Sequence, residues 1–157
     1  LSELAIKTAS VPAIGGEALE KIAHVEAKIR QMPQIDPPME HVLHGGMYAR
    51  TCRLNAGVAI VSVLIKIPTV FVVHGRARVY AGDGWFDVDG FHVIPASAHR
   101  KMVYVTLAPT EITMLFPTRA RTVEEAEREF TDEHAGLLSN RQDNAVTTIT
   151  GVEPCQA

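Results

Sequence analysis

Tyr48 and Arg50 stand two apart in Met47–Leu54, a run that reads as a β-strand, so both side chains leave the strand on one face. A phenol beside a guanidinium can fix a carboxylate or a phosphate, the guanidinium bidentately. If that face lines a cavity, the pair is a candidate ligand-binding site. If it looks outward, the two are surface residues or subunit contacts, which is the simpler expectation. The histidines show no familiar ligand spacing. His41 and His44 lie three apart beside Gly45 and Gly46 and read as loop residues, His74 sits at a turn, and His92 precedes the turn at Pro95. Each is expected to be solvated or singly hydrogen-bonded. Arg76, Arg78, Arg100 and Lys101 form two short basic clusters, expected on a solvated strand face. Ser97 has no nucleophile-elbow context, and no glycine-rich loop joins a strand to a helix, so hydrolase and phosphate-loop chemistry find no support.

The elements that position these groups are mostly strands. Eight segments, 47–54, 57–65, 69–73, 76–81, 85–89, 91–95, 101–107 and 111–116, combine β-formers with Gly, Pro, Asn and Asp breaks at short intervals, the pattern of a sandwich or barrel. Asp83 and Gly84 mark a tight hairpin turn. Ahead of the strands, Ile22, Val25, Ile29 and Met32 recur at helical spacing, and Pro33, Pro37 and Pro38 end that helix. Behind them, Thr122 and Glu125 form a capping box for an acidic helix. The division is residues 1–38 as arm and helix, 39–117 as barrel, and 118–157 as helix and extended tail, the tail from Ser139 being held by the barrel or by a second subunit. Residues 1–16 show no sustained period and read as an arm able to add a strand.

Composition bounds the partners. A net charge of −3 at 157 residues gives no basic field for nucleic acid, and the apolar run 56–65 is shorter than the ~20 residues that cross a bilayer. Cys52 and Cys155 are too isolated for a disulfide framework, and no basic-then-apolar leader is visible, which points to the cytoplasm or to an assembled particle rather than to secretion.

A helix, eight strands with glycine-rich turns and a second helix resemble the cupin superfamily, whose fold is a double-stranded β-helix, a small jelly-roll barrel. The resemblance implies a first motif running from Gly57 to Gly75, with its two metal-binding histidines at Ile65 and Ile67, and a second motif with Gly90, Pro95, Ser97 and His99. One ligand position of the usual set, His99, thus keeps its imidazole and could serve as a donor or general acid. A lone imidazole does not hold a metal, so no cofactor is expected. Ile65, Ile67, Thr69, Phe71 and Val73 share one parity and would fill the barrel with hydrocarbon. The stretch from residue 17 to 139 further resembles small cupin-like proteins of tailed phages and prophages. The expectation is therefore a non-catalytic, homo-oligomeric binding or structural module, possible as a virion component, with Tyr48, Arg50 and His99 as the residues that would touch a small-molecule ligand. The rival is a cupin enzyme acting on a small acidic or sugar-like substrate through His99 with Tyr48, Arg50 or Glu111, or through a metal site rebuilt with His44 or His74.

Overall fold

The computed structural model describes residues 10–137 and 145–150. Eight strands carry the fold: β1 (Met39–His44), β2 (Met47–Leu54), β3 (Ala59–Val61), β4 (Thr69–Tyr80), β5 (Trp85–Ala96), β6 (Val103–Thr106), β7 (Thr110–Pro117) and β8 (Ala145–Ile149). They run β3-β6-β4-β7-β2-β1-β8, with β5 paired to β4 and only β8 parallel to its neighbour. The sheet curls into a jelly-roll barrel with two helices, the fold class that the sequence implies.

The curl has a local cause. β4 pairs with β7 through Val70–His74 and with β6 through Ala77–Tyr80, so one strand serves both halves of the barrel. It changes allegiance at Gly75, which lies opposite Gly90 of β5, and both glycines have positive φ, 144° and 87°. A Cβ on Gly75 would lie 2.5 Å from the Pro109 carbonyl oxygen and 2.5 Å from Thr110 Oγ1, so the bend admits no side chain there. Sequence breaks at these glycines suggest four short strands, yet the chain makes two strands of 12 residues with a bend in each. The expected hairpin turn is present between Tyr80 and Trp85, closed by Ala81 N–H donating to the Gly84 oxygen at 3.2 Å. Its positive φ values belong to Gly82 and Gly84, not to Asp83.

Two other expectations are corrected. Met39–His44 is a strand and not a loop, joined to β2 through Gly45 and Gly46, both with positive φ as a two-residue hairpin turn requires. The expected strand 57–65 is cut to Ala59–Val61, because the chain beyond it bonds elsewhere. Ser62 N–H donates to Met102 O, Ile65 N–H to Arg100 O and Lys66 N–H to Phe130 O, at 2.8–2.9 Å.

Helix α1 (Gly16–Ile29) buries Ile22 fully, but Val25 and Met32 of its predicted stripe are exposed, so most of that stripe is not core. Helix α2 (Val123–Phe130) has the predicted cap: Glu125 N–H donates to Thr122 Oγ1 at 3.2 Å, while the Glu125 carboxylate accepts from Arg121 N–H, one residue before the cap. Its Ala126 and Phe130 pack on Tyr48, Met114 and Phe116 across one mouth of the barrel. A second cluster includes Phe71, Val73, Val79, Val88, Ile94, Met102 and Tyr104, and a third, Ile14, Ile22 and Val103, lies under α1. Each fully buried side chain of this size contributes roughly 1.5–3 kcal/mol. Within the predicted tail, Ala145–Ile149 lies beside β1 of its own chain. The arm expected at residues 1–9 and the tail expected at 138–144 and 151–157 lie outside the described residues.

Candidate functional site

The two stretches implied to carry metal ligands do meet. Ile65 and Arg100 form an isolated antiparallel bridge, with N–H to oxygen distances of 2.8 and 3.1 Å in the two directions. What occupies the meeting point is not what the resemblance implies. Ile65 is in the core and Ile67 packs beside it, offering no lone pair. His99 is exposed, its backbone held in the left-handed region at φ 57°, and it does not converge with Tyr48 and Arg50. The side chain that turns inward is Arg100, only 1% exposed. Its Nη1 donates to the carbonyl oxygens of Ile67 at 3.1 Å and Ser97 at 2.9 Å, and its Nη2 donates to Thr69 Oγ1 and lies 3.8 Å from Met114 Sδ. Nε has no partner among the described residues. Burial lowers the Arg100 pKa, but a guanidinium stays charged in proteins. Arg100 therefore corrects the expectation of a solvated basic cluster. Lys101 does so too, since its Nζ reaches Glu26 Oε2 of α1 at 2.8 Å with little exposure. Arg76 and Arg78 are exposed as expected.

The metal that the resemblance implies does not fit these residues. Imidazole or carboxylate donors must converge on it, and here the positions hold isoleucines, an outward-turned histidine and a buried cation. No group of three or more His, Cys, Asp or Glu among the described residues could hold an ion.

Tyr48 and Arg50 share a face, as the strand spacing requires, and that face is the inner one. This corrects the expectation that they lie at the surface. Tyr48 is fully buried and its hydroxyl lies 2.8 Å from His41 Nδ1, while Arg50 Nη1 donates to Glu127 Oε1 of α2 at 2.9 Å, with Glu127 buried and Arg50 only slightly exposed. Arg50 also stands 5.9 Å from the centre of the Phe130 ring. Burial pushes the Tyr48 hydroxyl up to about 12, and burial, helped by the charge of Arg50, pushes His41 down to about 4. The Cys52 thiol, close to the same guanidinium, is pushed up to about 11 by burial. Near neutral pH the phenol, the imidazole and the thiol are all uncharged, so none is poised as a nucleophile or general base. The Arg50–Glu127 pair anchors α2 over the barrel mouth, assisted by Thr131 Oγ1 donating to Leu64 O and by Lys66 Nζ on Asp132.

The remaining histidines have ordinary partners. His44 Nδ1 lies 2.9 Å from Thr150 Oγ1, His92 Nε2–H donates to Asp89 O at 2.8 Å, and His74 faces the Phe91 ring. Glu111, a possible acid in the enzyme reading, is on the outer surface and bonded to Arg53 at 2.8 Å. Sequence reasoning missed His41, Glu127 and Arg100. The only signal for His41 was its place two residues from Met39 and Leu43, which shares their inward parity.

No family model matches the chain, and no curated protein matches it. Among solved structures it is similar to KdgF from Halomonas sp., at 18% identity and a TM-score of 0.46, over 57% of this chain and 87% of that one. It is similar to ectoine synthase from P. lautus, at 13% identity and a TM-score of 0.46, over 62% of this chain and 76% of that one. A cupin superfamily protein from Desulfitobacterium hafniense matches at 12% identity and a TM-score of 0.40, over 55% and 72%. What this chain does has to be argued from its own residues.

Proposed function

We propose that this chain is a non-catalytic cupin-like barrel that works through its surfaces, as a binding or structural module. The observation that carries the reading is the Arg100 guanidinium, a permanent cation held by backbone carbonyls between the two motif segments. A divalent ion about 5 Å from it would be opposed by roughly 7 kcal/mol at an effective dielectric near 20, with no converging donors to offset the cost. The neighbouring interior is equally committed: Glu127 neutralises Arg50, and Tyr48 is spent on His41. In the phage setting that the resemblance implies, such a module would be a virion component.

The test is elemental analysis of tag-free protein after incubation with zinc, manganese, iron and nickel salts, together with thermal melts in each. Less than about a tenth of an ion per chain and an unchanged melting temperature are expected. Stoichiometric uptake of one of these metals with a raised melting temperature would overturn the proposal and favour an enzyme.

A further inference from the structure

Three charged side chains are buried among the described residues: Arg100, Lys101 and Glu127. Lys101 has the Glu26 carboxylate at 2.8 Å, and Glu127 has the Arg50 guanidinium at 2.9 Å. Arg100 has only uncharged partners among the described residues, the carbonyls of Ile67 and Ser97, the Thr69 hydroxyl and the Met114 thioether. Carbonyl dipoles offset part of the cost of burying a cation, but they do not neutralise it. The imbalance runs one way. The two buried side-chain atoms without a partner among the described residues are both nitrogens, Arg100 Nε and His41 Nε2, and no buried side-chain oxygen is left over there. Weak acceptors serve elsewhere in the same interior. Arg100 Nη2 rests partly on Met114 Sδ at 3.8 Å, and the buried Tyr104 hydroxyl reaches Met102 Sδ at 3.6 Å. Tyr104 lies within the field of the Arg100 guanidinium, which favours negative charge there against the opposing effect of burial.

We infer that Arg100 holds a small monovalent anion, of halide or formate size, inside the barrel through its Nε proton. The inference rests on the reading of Arg100 as the cation that bars a metal, and names the ion that the same charge attracts. A water could accept the Nε proton but would leave the charge uncompensated, whereas an anion does both. The surroundings set the class. Arg100 bridges to Ile65 and touches Ile67, Thr69 and Met114, which present hydrocarbon, one hydroxyl and one polarisable sulfur. Entering such a place strips water from the ion, so chloride, bromide and formate are favoured over strongly hydrated fluoride and over the divalent anions. Bound where the segments around Ile65 and Arg100 meet, the ion acts as a structural counter-charge and not as a substrate.

Thermal melts of the full chain in EDTA, with sodium bromide, chloride, formate or fluoride at equal ionic strength, test this. The general effect of salts favours fluoride, because strongly hydrated ions are excluded from the protein surface; a site on Arg100 reverses that order. At about 30 times its Kd, an ion that binds only the folded chain raises the melting temperature by roughly 4–8 °C. Bromide, chloride and formate should give a saturable rise of that size, and fluoride should not. Arg100→Met should lose the saturable rise. If that variant does not fold, crystals of the wild type grown in bromide carry the same test, with an anomalous peak expected within about 3.5 Å of Arg100 Nε. Fluoride acting as strongly as bromide overturns the inference, as does a saturable rise that survives Arg100→Met or bromide found at the surface as an adventitious ion only. EDTA keeps metals out of these melts, so metal uptake, which would overturn the proposed function, is a separate and distinguishable failure.

Discussion

His41 folds as a neutral side chain because water cannot reach it and Arg50 opposes its protonation. In the unfolded chain it titrates near 6.5, and in the folded chain near 4. Between those values the unfolded state binds more protons, so stability falls as pH drops from about 6.5 towards 4 and is constant above that window as far as His41 is concerned. The contribution is on the order of 2 kcal/mol. The unfolding free energy from urea titration should therefore fall by about 2 kcal/mol more between pH 7.5 and pH 5 in the wild type than in His41→Leu; equal differences in the two proteins would refute the assignment. Only 2.8 Å separate this ring from the Tyr48 hydroxyl, but the sequence gives no hint of the pairing, since a histidine at an inward strand position looks the same as one in a loop.

At the level of strands and helices, the glycine pair 75 and 90 decides the shape. It lets two long strands bend and so feed both halves of the barrel. Gly75→Ala forces a Cβ against Pro109 and Thr110 in a backbone region that L-residues avoid, and should cost about 3 kcal/mol or more. Gly84→Ala, also at positive φ but with open space around it, should cost less. Chemical denaturation of the two variants checks the order. The glycines were visible in the sequence as breaks. That they bend strands instead of ending them depends on partners 30 residues and more away.

For the molecule as a whole, the shared strands predict cooperativity. Because β4 pairs with β7 along its first half and with β6 along its second, and β5 follows it over the whole length, neither half of the barrel has a sheet of its own. Unfolding should be a single transition. Trp85 fluorescence, reporting the tip of the β4–β5 hairpin, and far-ultraviolet circular dichroism, reporting all strands, should give coincident urea curves. Separated midpoints would show that the halves unfold independently.

Read locally, the chain already specifies much of this. The alternation of Met47–Leu54 and of 111–116, the turn at 81–84 and the cap at Thr122 depend on neighbours within a few residues, and the structure keeps them all. The shared face of Tyr48 and Arg50 follows from strand geometry, but whether that face is inner or outer does not, because parity has no sign until the sheet closes. Arg100 is the sharpest case. A lone arginine after a histidine reads as solvated, and its burial is possible only because the carbonyls of Ile67 and Ser97 and the hydroxyl of Thr69 arrive together to accept its protons. Those acceptors converge through long-range pairing, so the inward charge belongs to the folded barrel and to no segment of it.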